Sequence, residues 1–256
     1  MNGILVIAYG SSLPYAEAAL KAQCERLQNL RSEKVYYASH RANKPLIADT
    51  VKQIAADGVD RLLVIPFFIA DGEITKDYIP REMGLKSYGD RCLEVDGKKI
   101  EIIWGSAIGT DPGIADVIIK RIKDRNGDAD TPVLIIGHGS RNKELPEAVE
   151  AAAESVRLAG YRNVRVAYNE FNGPYIEDVF PEMVALNEDA IIIVPMFIAC
   201  GLHLKVEIPE KLGIPDNRGG IVKHNGKSIE VRYTPAVGED EYVAEVLAKR
   251  AAKAFD

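Results

Sequence analysis

The chain has 256 residues, 47% apolar and 27% charged with no low-complexity run, enough for one large or two medium α/β domains with proper cores. A formal charge of −6 with no Lys/Arg run to offset it argues against a nucleic-acid-binding surface, and no uncharged apolar stretch approaches the roughly 20 residues that span a bilayer. The opening "MNGILVIAYG" lacks a leader's basic-then-apolar layout, and Cys24, Cys92 and Cys200 are too far apart for a local CxxC motif, so the expectation is a cytoplasmic protein without an iron–sulfur cluster.

The first half begins with "ILVIAYGSSLPYAEAALKAQCERL", which reads as a buried strand, a glycine-framed loop carrying Tyr9, and a helix. "VIPFFIADGEITKDYIPREMG" follows, then the polar, glycine-bearing "GLKSYGDRCLEVDGKKI". Long loops in compact domains tend to be mobile covers, so this segment and its later counterpart "GIPDNRGGIVKHNGKSI" are read as candidate lids.

In the second half, "PVLIIG" is a short continuous apolar run, the mark of a strand covered on both faces. "KELPEAVEAAAESVRLAG" reads as a helix stopped by Gly160, and "NVRVAY" as a second strand. "PYIEDVFPEMVAL" reads as a helix with Pro174 suited to its first turn. "AIIIVPMF" and "SIEVRY" give a third and fourth strand, and "DEYVAEVLAKRAAKAF" a closing helix. Strands alternating with helices imply a parallel sheet with right-handed crossovers.

Shifting the chain by 129 residues aligns its halves with hardly a gap: "LVIAYGS" falls on "LIIGHGS", and "DGKKIEI" on "NGKSIEV". Gly10/Gly139, Ser11/Ser140, Pro45/Pro174, Pro66/Pro195, Gly72/Gly201, Pro80/Pro209 and Gly109/Gly238 match. Glycine and proline fix turn geometry, so both halves are expected to follow one backbone path. The fold expected is α/β: two flavodoxin-like lobes, residues 1–128 and 129–256, each with a parallel four-stranded sheet, related by a pseudo-two-fold axis across a cleft. A duplicated chain does not need to dimerise to build such a cleft, so a monomer or weak homo-oligomer is expected.

In an open parallel sheet, ligands bind beyond the carboxyl ends of the strands, where strand order reverses. On that edge the second half carries His138 after its first strand, Glu170 after its second and His203 after its third. With a 2-1-3 strand order these three lie on neighbouring strand tips, within reach of one ion. Two neutral imidazoles and a carboxylate suit a borderline divalent metal. At the same register the first half has Tyr9, Arg41 and Ile74, so the ligand set is lost together while its framework remains. Taken singly, each histidine also reads as a backbone-satisfied loop residue, and Glu170 as a solvated or helix-capping carboxylate. His40 and His224 lack such support and read as surface residues, and Cys200 reads as buried packing.

With these residues in hand, the chain resembles the class II chelatases, in particular the sirohydrochlorin cobaltochelatase/ferrochelatase family (CbiX-like). The resemblance covers nearly the whole chain and rests on "GHGSR", the Glu of "AYNEF" and "VPMFIACGLHLKVEIP", with 65 residues between His138 and His203. It implies a cytoplasmic, ATP-independent enzyme that inserts Co2+ or Fe2+ into sirohydrochlorin on the cobalamin or sirohaem route. The absence of a GxxxxGK[ST] phosphate loop agrees that no nucleotide is needed. Many two-lobed members keep the histidine pair in the first half, whereas here it lies in the second, as in the anaerobic cobaltochelatase and protohaem ferrochelatase branches.

Metallation requires the ion to shed water and the macrocycle to lose two pyrrole N–H protons. His138, His203 and Glu170 are read as both the metal ligands and the catalytic proton acceptors. Imidazole must be unprotonated to bind a metal, so activity is expected to fall below roughly pH 6. The substrate's many carboxylates need local cations: Arg141 and Lys205 in the second half, Arg41 and Lys76 in the first. Ser140, Ser11 and Tyr9 complete the expected substrate contacts, and Glu207, four residues after His203, can orient it. The same nitrogen and oxygen ligands accept Co2+, Fe2+ and Ni2+, which leaves the metal open. A non-catalytic tetrapyrrole- or metal-binding carrier is the alternative on this scaffold. A hydrolase or transferase using His138 lacks a GxSxG elbow and a coherent triad.

Overall fold

Strands that are apolar on both faces need helices on both sides, and this requirement shapes each half of the chain. The structure is a computed structural model and describes residues Met1–Phe255. The first copy runs β1 (Asn2–Ala8), α1 (Pro14–Leu30), β2 (Lys34–Ser39), α2 (Ile47–Ala56), β3 (Arg61–Pro66), α3 (Ile79–Met83), β4 (Cys92–Val95), β5 (Lys98–Trp104) and α4 (Gly113–Asp124). The second runs β6 (Val133–Gly137), α5 (Glu144–Leu158), β7 (Val164–Tyr168), α6 (Ile176–Ala185), β8 (Ala190–Pro195), α7 (Ile208–Leu212), β9 (Gly220–His224), β10 (Lys227–Tyr233) and α8 (Tyr242–Phe255). The sheet orders are β2-β1-β3-β5-β4 and β7-β6-β8-β10-β9, so β1 lies between β2 and β3, and β6 between β7 and β8.

Each sheet has five strands rather than the four expected, because the segments read as lids supply a strand apiece. β4 pairs antiparallel with β5, and β9 with β10. The turns are Asp96-Gly97 (φ 50° and 76°) and Asn225-Gly226 (φ 48° and 79°). Two successive positive φ values mark the tight hairpin turn whose twist matches the flanking strands. Pro174 is also placed differently from expectation. It follows a cis Gly173–Pro174 bond and precedes α6, and its carbonyl accepts the Tyr168 N–H at 2.9 Å.

Every residue of β6 is buried, and α5 covers it with a stripe of Ala148, Val149, Ala152, Ala153 and Val156, spaced as one helical face. α5 gives way to Ala159 and then Gly160 at φ 103°, which is the stop the sequence predicts.

The compact units do not coincide with the sequence copies. One unit is Met1–Asp111 together with the chain from Glu241 onward, and the other is Pro112–Asp240. The closing helices are exchanged: α8 packs on α1, whereas α4 packs on α5 and β8. A matched ion pair accompanies each exchange. Arg121 of α4 meets Asp240 at 2.9 Å, with the Asp240 side chain 1% exposed, and Arg250 of α8 meets Asp111.

Candidate metal centre

The strand register sets the site. β6 lies between β7 and β8, with Gly137 opposite Tyr168 and Ile136 opposite Pro195, so the three tips end side by side. His138 leaves β6 directly, and Asn169 and Glu170 leave β7. Gly139 lets these two loops touch: at φ +93°, a Cβ there would sit 1.7 Å from the Glu170 carbonyl oxygen. The Glu170 N–H donates to the His138 carbonyl at 2.9 Å, fixing the pair. After β8 the chain makes a single π-helical turn, His203–Glu207, closed by the Ile208 N–H donating to the His203 carbonyl. Such wide turns recur at functional sites because they re-aim a side chain within a helix start.

One ligand-type atom from each of His138, Glu170 and His203 lies within 4.8 Å of the others, and all three residues are half-buried. The two histidine Nε2 atoms are 3.2 Å apart. His138 Nδ1 lies 3.0 Å from the Gly139 carbonyl, and His203 Nδ1 lies 2.6 Å from Glu207 Oε2. Both partners only accept, so each Nδ1 carries the proton, and both Nε2 lone pairs point into the same space. A cation between them relieves that opposition. Two nitrogens each about 2.05 Å from one tetrahedral metal lie roughly 3.3 Å apart, close to the separation present.

Behind His203 stands a supporting layer. The Asn169 amide donates to Glu207 Oε2 at 3.2 Å, and Lys211 donates to the Asn169 carbonyl at 2.7 Å. The hydrogen bond from His203 holds the Glu207 carboxyl below the usual carboxylate range, with the Asn169 bond adding to it and burial opposing. Carboxylate–imidazole pairs of this kind fix the tautomer and raise the basicity of the metal-facing nitrogen. Asn169 was missed in the sequence. Its neighbour Glu170 carried the recognisable signal, and nothing in the local pattern marks an asparagine as support for a histidine on the next strand.

The other residues singled out in the sequence fall into two groups. In the second unit, Arg141 lies over the Phe171 ring at 5.7 Å, and Lys205 is exposed on the π-helical turn. Ser140 shapes its loop, accepting the Asn142 N–H at 3.1 Å while its own N–H donates to Asn172. In the first unit Ser11 makes the equivalent turn, accepting the Leu13 N–H, with Asn43 in the place of Asn172. There Arg41 stacks over Tyr9 at 4.0 Å, and Lys76 is exposed. His40 is not a surface residue: its side chain is 16% exposed, packed between the Tyr9 and Tyr78 rings, with Nδ1 2.7 Å from a Glu82 oxygen. His224 is half-exposed on the edge strand β9. Cys24, Cys92 and Cys200 are free thiols, and no helix among the described residues is long and apolar enough to cross a membrane.

Paired five-stranded α/β units, one bearing a two-histidine, one-carboxylate centre on its strand tips, define a protein of chelatase type. A family model described as CbiX matches twice, over residues 3–125 and 132–254, and the chain belongs to that family. It is 33% identical over 124 residues to the sirohydrochlorin cobaltochelatase of Methanosarcina barkeri, which spans 48% of this chain and 95% of that relative. It is 24% identical over 276 residues to a probable sirohydrochlorin cobaltochelatase of Halobacterium salinarum, covering 99% of this chain and 92% of the other. Among solved structures, SirB from Bacillus subtilis with Fe3+ superposes with a TM-score of 0.77 at 19% identity, covering 99% and 95% of the two chains.

Proposed function

We propose that this chain inserts a divalent metal, Co2+ or Fe2+, into sirohydrochlorin or a closely related tetrapyrrole without ATP. The observation that carries this reading is the pair of Nε2 atoms 3.2 Å apart with the Glu170 carboxylate beside them, in a family whose named relatives are sirohydrochlorin cobaltochelatases. The reaction exchanges one M2+ for two pyrrole protons, so the site must hold a partly dehydrated cation and accept protons. His138 and His203 hold the incoming ion through Nε2, and Glu170 completes the ligand set and passes the released protons to water. Glu207 and Asn169 keep His203 in the metal-facing tautomer.

The substrate's carboxylate arms are assigned to Arg141 and Lys205, and to the O–H of Ser140. Tyr9, Ser11 and Arg41 of the first unit are proposed as further contacts with its periphery. Arg suits this task because its planar fork matches a carboxylate with two parallel hydrogen bonds. The cytoplasm is the proposed compartment, consistent with three free cysteines.

Anaerobic incubation with sirohydrochlorin and Co2+, Fe2+ or Ni2+, followed by the absorbance change of metallation, tests the proposal. Turnover with at least one metal is expected from the intact protein and none from His138→Ala or His203→Ala. A spectrum that shifts on tetrapyrrole binding but never on metal addition would establish the carrier instead.

A further inference from the structure

Around the ligand triad the second unit exposes large apolar side chains at three positions where its sister copy has none, although that copy exposes Tyr78 in the place of Glu207. Phe171 is 51% exposed, Leu202 58% and Val206 44%. Phe171 follows Glu170 directly, and its ring centroid is 6.1 Å from that of His138. Leu202 precedes His203, and Val206 lies four residues beyond Leu202 on the same turn, so the two flank one face. The first copy carries Ala42, Glu73 and Asp77 at these positions. Phe171 and Ala42 share a left-handed backbone, φ 61° and 65°, so the path is common and only the side chain differs. A bulky residue there is uncommon and costs energy, and leaving it exposed gains nothing in the free protein.

We infer that Phe171, Leu202 and Val206 form a seat for one apolar face of a planar, carboxylate-bearing tetrapyrrole, with Arg141 binding a carboxylate at its edge. The inference rests on the chelatase reading above and adds the residues that hold the macrocycle. The occupant follows from the chemistry around the seat. Whatever covers these side chains also covers the metal-facing imidazoles, so it must bring metal-accepting nitrogens to their centre, as a tetrapyrrole does with its ring face down. Arg141 makes no ion pair among the described residues and lies over the Phe171 ring, which places an unmatched cation beside the apolar surface. Clusters of exposed apolar side chains of this kind mark binding surfaces.

The test gives the seat the residues of the first copy: Phe171→Ala, Leu202→Glu and Val206→Asp together in the full chain. Metal-free sirohydrochlorin is titrated by absorbance without oxygen, Co2+ alone by calorimetry, and the oligomeric state is read by sedimentation. The triple variant is expected to bind the tetrapyrrole at least about tenfold more weakly, while its Co2+ affinity stays within about twofold of the parent. Phe171→Tyr, which keeps the ring, is expected to bind like the parent. Unaltered tetrapyrrole affinity in the triple variant overturns the inference, as does an equal loss of Co2+ affinity. A parent dimer that the triple variant dissolves while tetrapyrrole affinity holds would assign the seat to a second copy. If the parent binds and metallates sirohydrochlorin and the triple variant does so equally well, the seat alone falls. If the parent does not bind the tetrapyrrole at all, the chelatase reading falls with it.

Discussion

Beyond the tips of β6 and β7 and on the turn after β8 lie His138, Glu170 and His203, and at the matching places after β1, β2 and β3 lie Tyr9, Arg41 and Ile74. The backbone beneath them is nearly the same. Gly10 at φ +84° faces the Arg41 carbonyl as Gly139 at φ +93° faces that of Glu170, each leaving 1.7 Å for a Cβ. The supporting layer is rebuilt with opposite charge: Lys211 donates to the Asn169 carbonyl in one copy, while Glu82 sits against His40 in the other. In the first copy an aromatic ring and a stacked guanidinium take the places of a metal-facing imidazole and the carboxylate. Close approach of two loops is thus a property of the framework, and the cluster of ligand-type atoms is a property of three side chains placed on it.

The sharpest break in this comparison comes from deleting a ligand. His138→Ala or His203→Ala is expected to lower Co2+ affinity more than about 100-fold, beyond what loss of an outer partner does. Calorimetry on both variants checks this, and the matching first-copy change, Tyr9→Ala, should leave Co2+ affinity unmoved. Equal losses from Tyr9→Ala would mean that the first copy takes part in holding the ion.

The exchanged helices offer a second contrast, this time in stability. Asp240 is 1% exposed and Asp111 21%, although each faces the arginine of a closing helix. Removing the partner of a buried carboxylate costs more than removing that of a half-exposed one. Lys120 stays 3.5 Å from Asp240, so Arg121→Met does not strand the carboxylate and is expected to destabilise by about 2 kcal/mol, against about 1 kcal/mol for Arg250→Met, read from denaturant titrations. Equal costs would show that solvent reaches both pairs alike.

Much of this architecture was legible in the sequence, for physical reasons that differ from part to part. β6 announced itself because a strand covered on both faces has no polar positions, and α5 because its buried stripe has a helical period. The convergence of His138, Glu170 and His203 was legible because duplication supplied an internal control, with a histidine standing where the other copy has tyrosine. β4 and β9 were misread as loops although Asp96-Gly97 and Asn225-Gly226 are strong hairpin signals. Their strands are short edge strands with charged, outward-facing residues, which hid the alternation. The helix exchange leaves no local trace, because α4 and α8 present equivalent faces and either could close either sheet. His40 was misjudged because its burial depends on Tyr9 and Tyr78, distant along the chain.

If chemistry resides in side chains alone, it can be copied back. Tyr9→His, Arg41→Glu and Ile74→His together are expected to raise Co2+ stoichiometry from one to two per chain. The new site should be about 10- to 100-fold weaker than the native one, since Tyr78 and His40 stand where Glu207 and Asn169 support His203. A stoichiometry fixed at one would show that the first copy's backbone has drifted from ligand geometry.

The smallest effect concerns Glu207 itself, which the first copy replaces with Tyr78. Gln at this position still accepts the His203 Nδ1–H, so Glu207→Gln is expected to keep the tautomer and lower Co2+ affinity by about tenfold or less. Its effect on stability follows from the sign of the carboxyl's shift. His203 holds that carboxyl below its ordinary value of 4.5, so the interaction stabilises the fold fully above that value and is lost as pH falls through the depressed one. The Glu207 side chain is 42% exposed, and solvent screening limits the contribution to a few tenths of a kcal/mol. Parent and variant should therefore melt slightly apart at about pH 7, with the gap closing as pH falls below the carboxyl's ordinary value and through its depressed one. A gap that widened towards acid would mean that the variant had disturbed another carboxylate, with Glu170 as the first to examine.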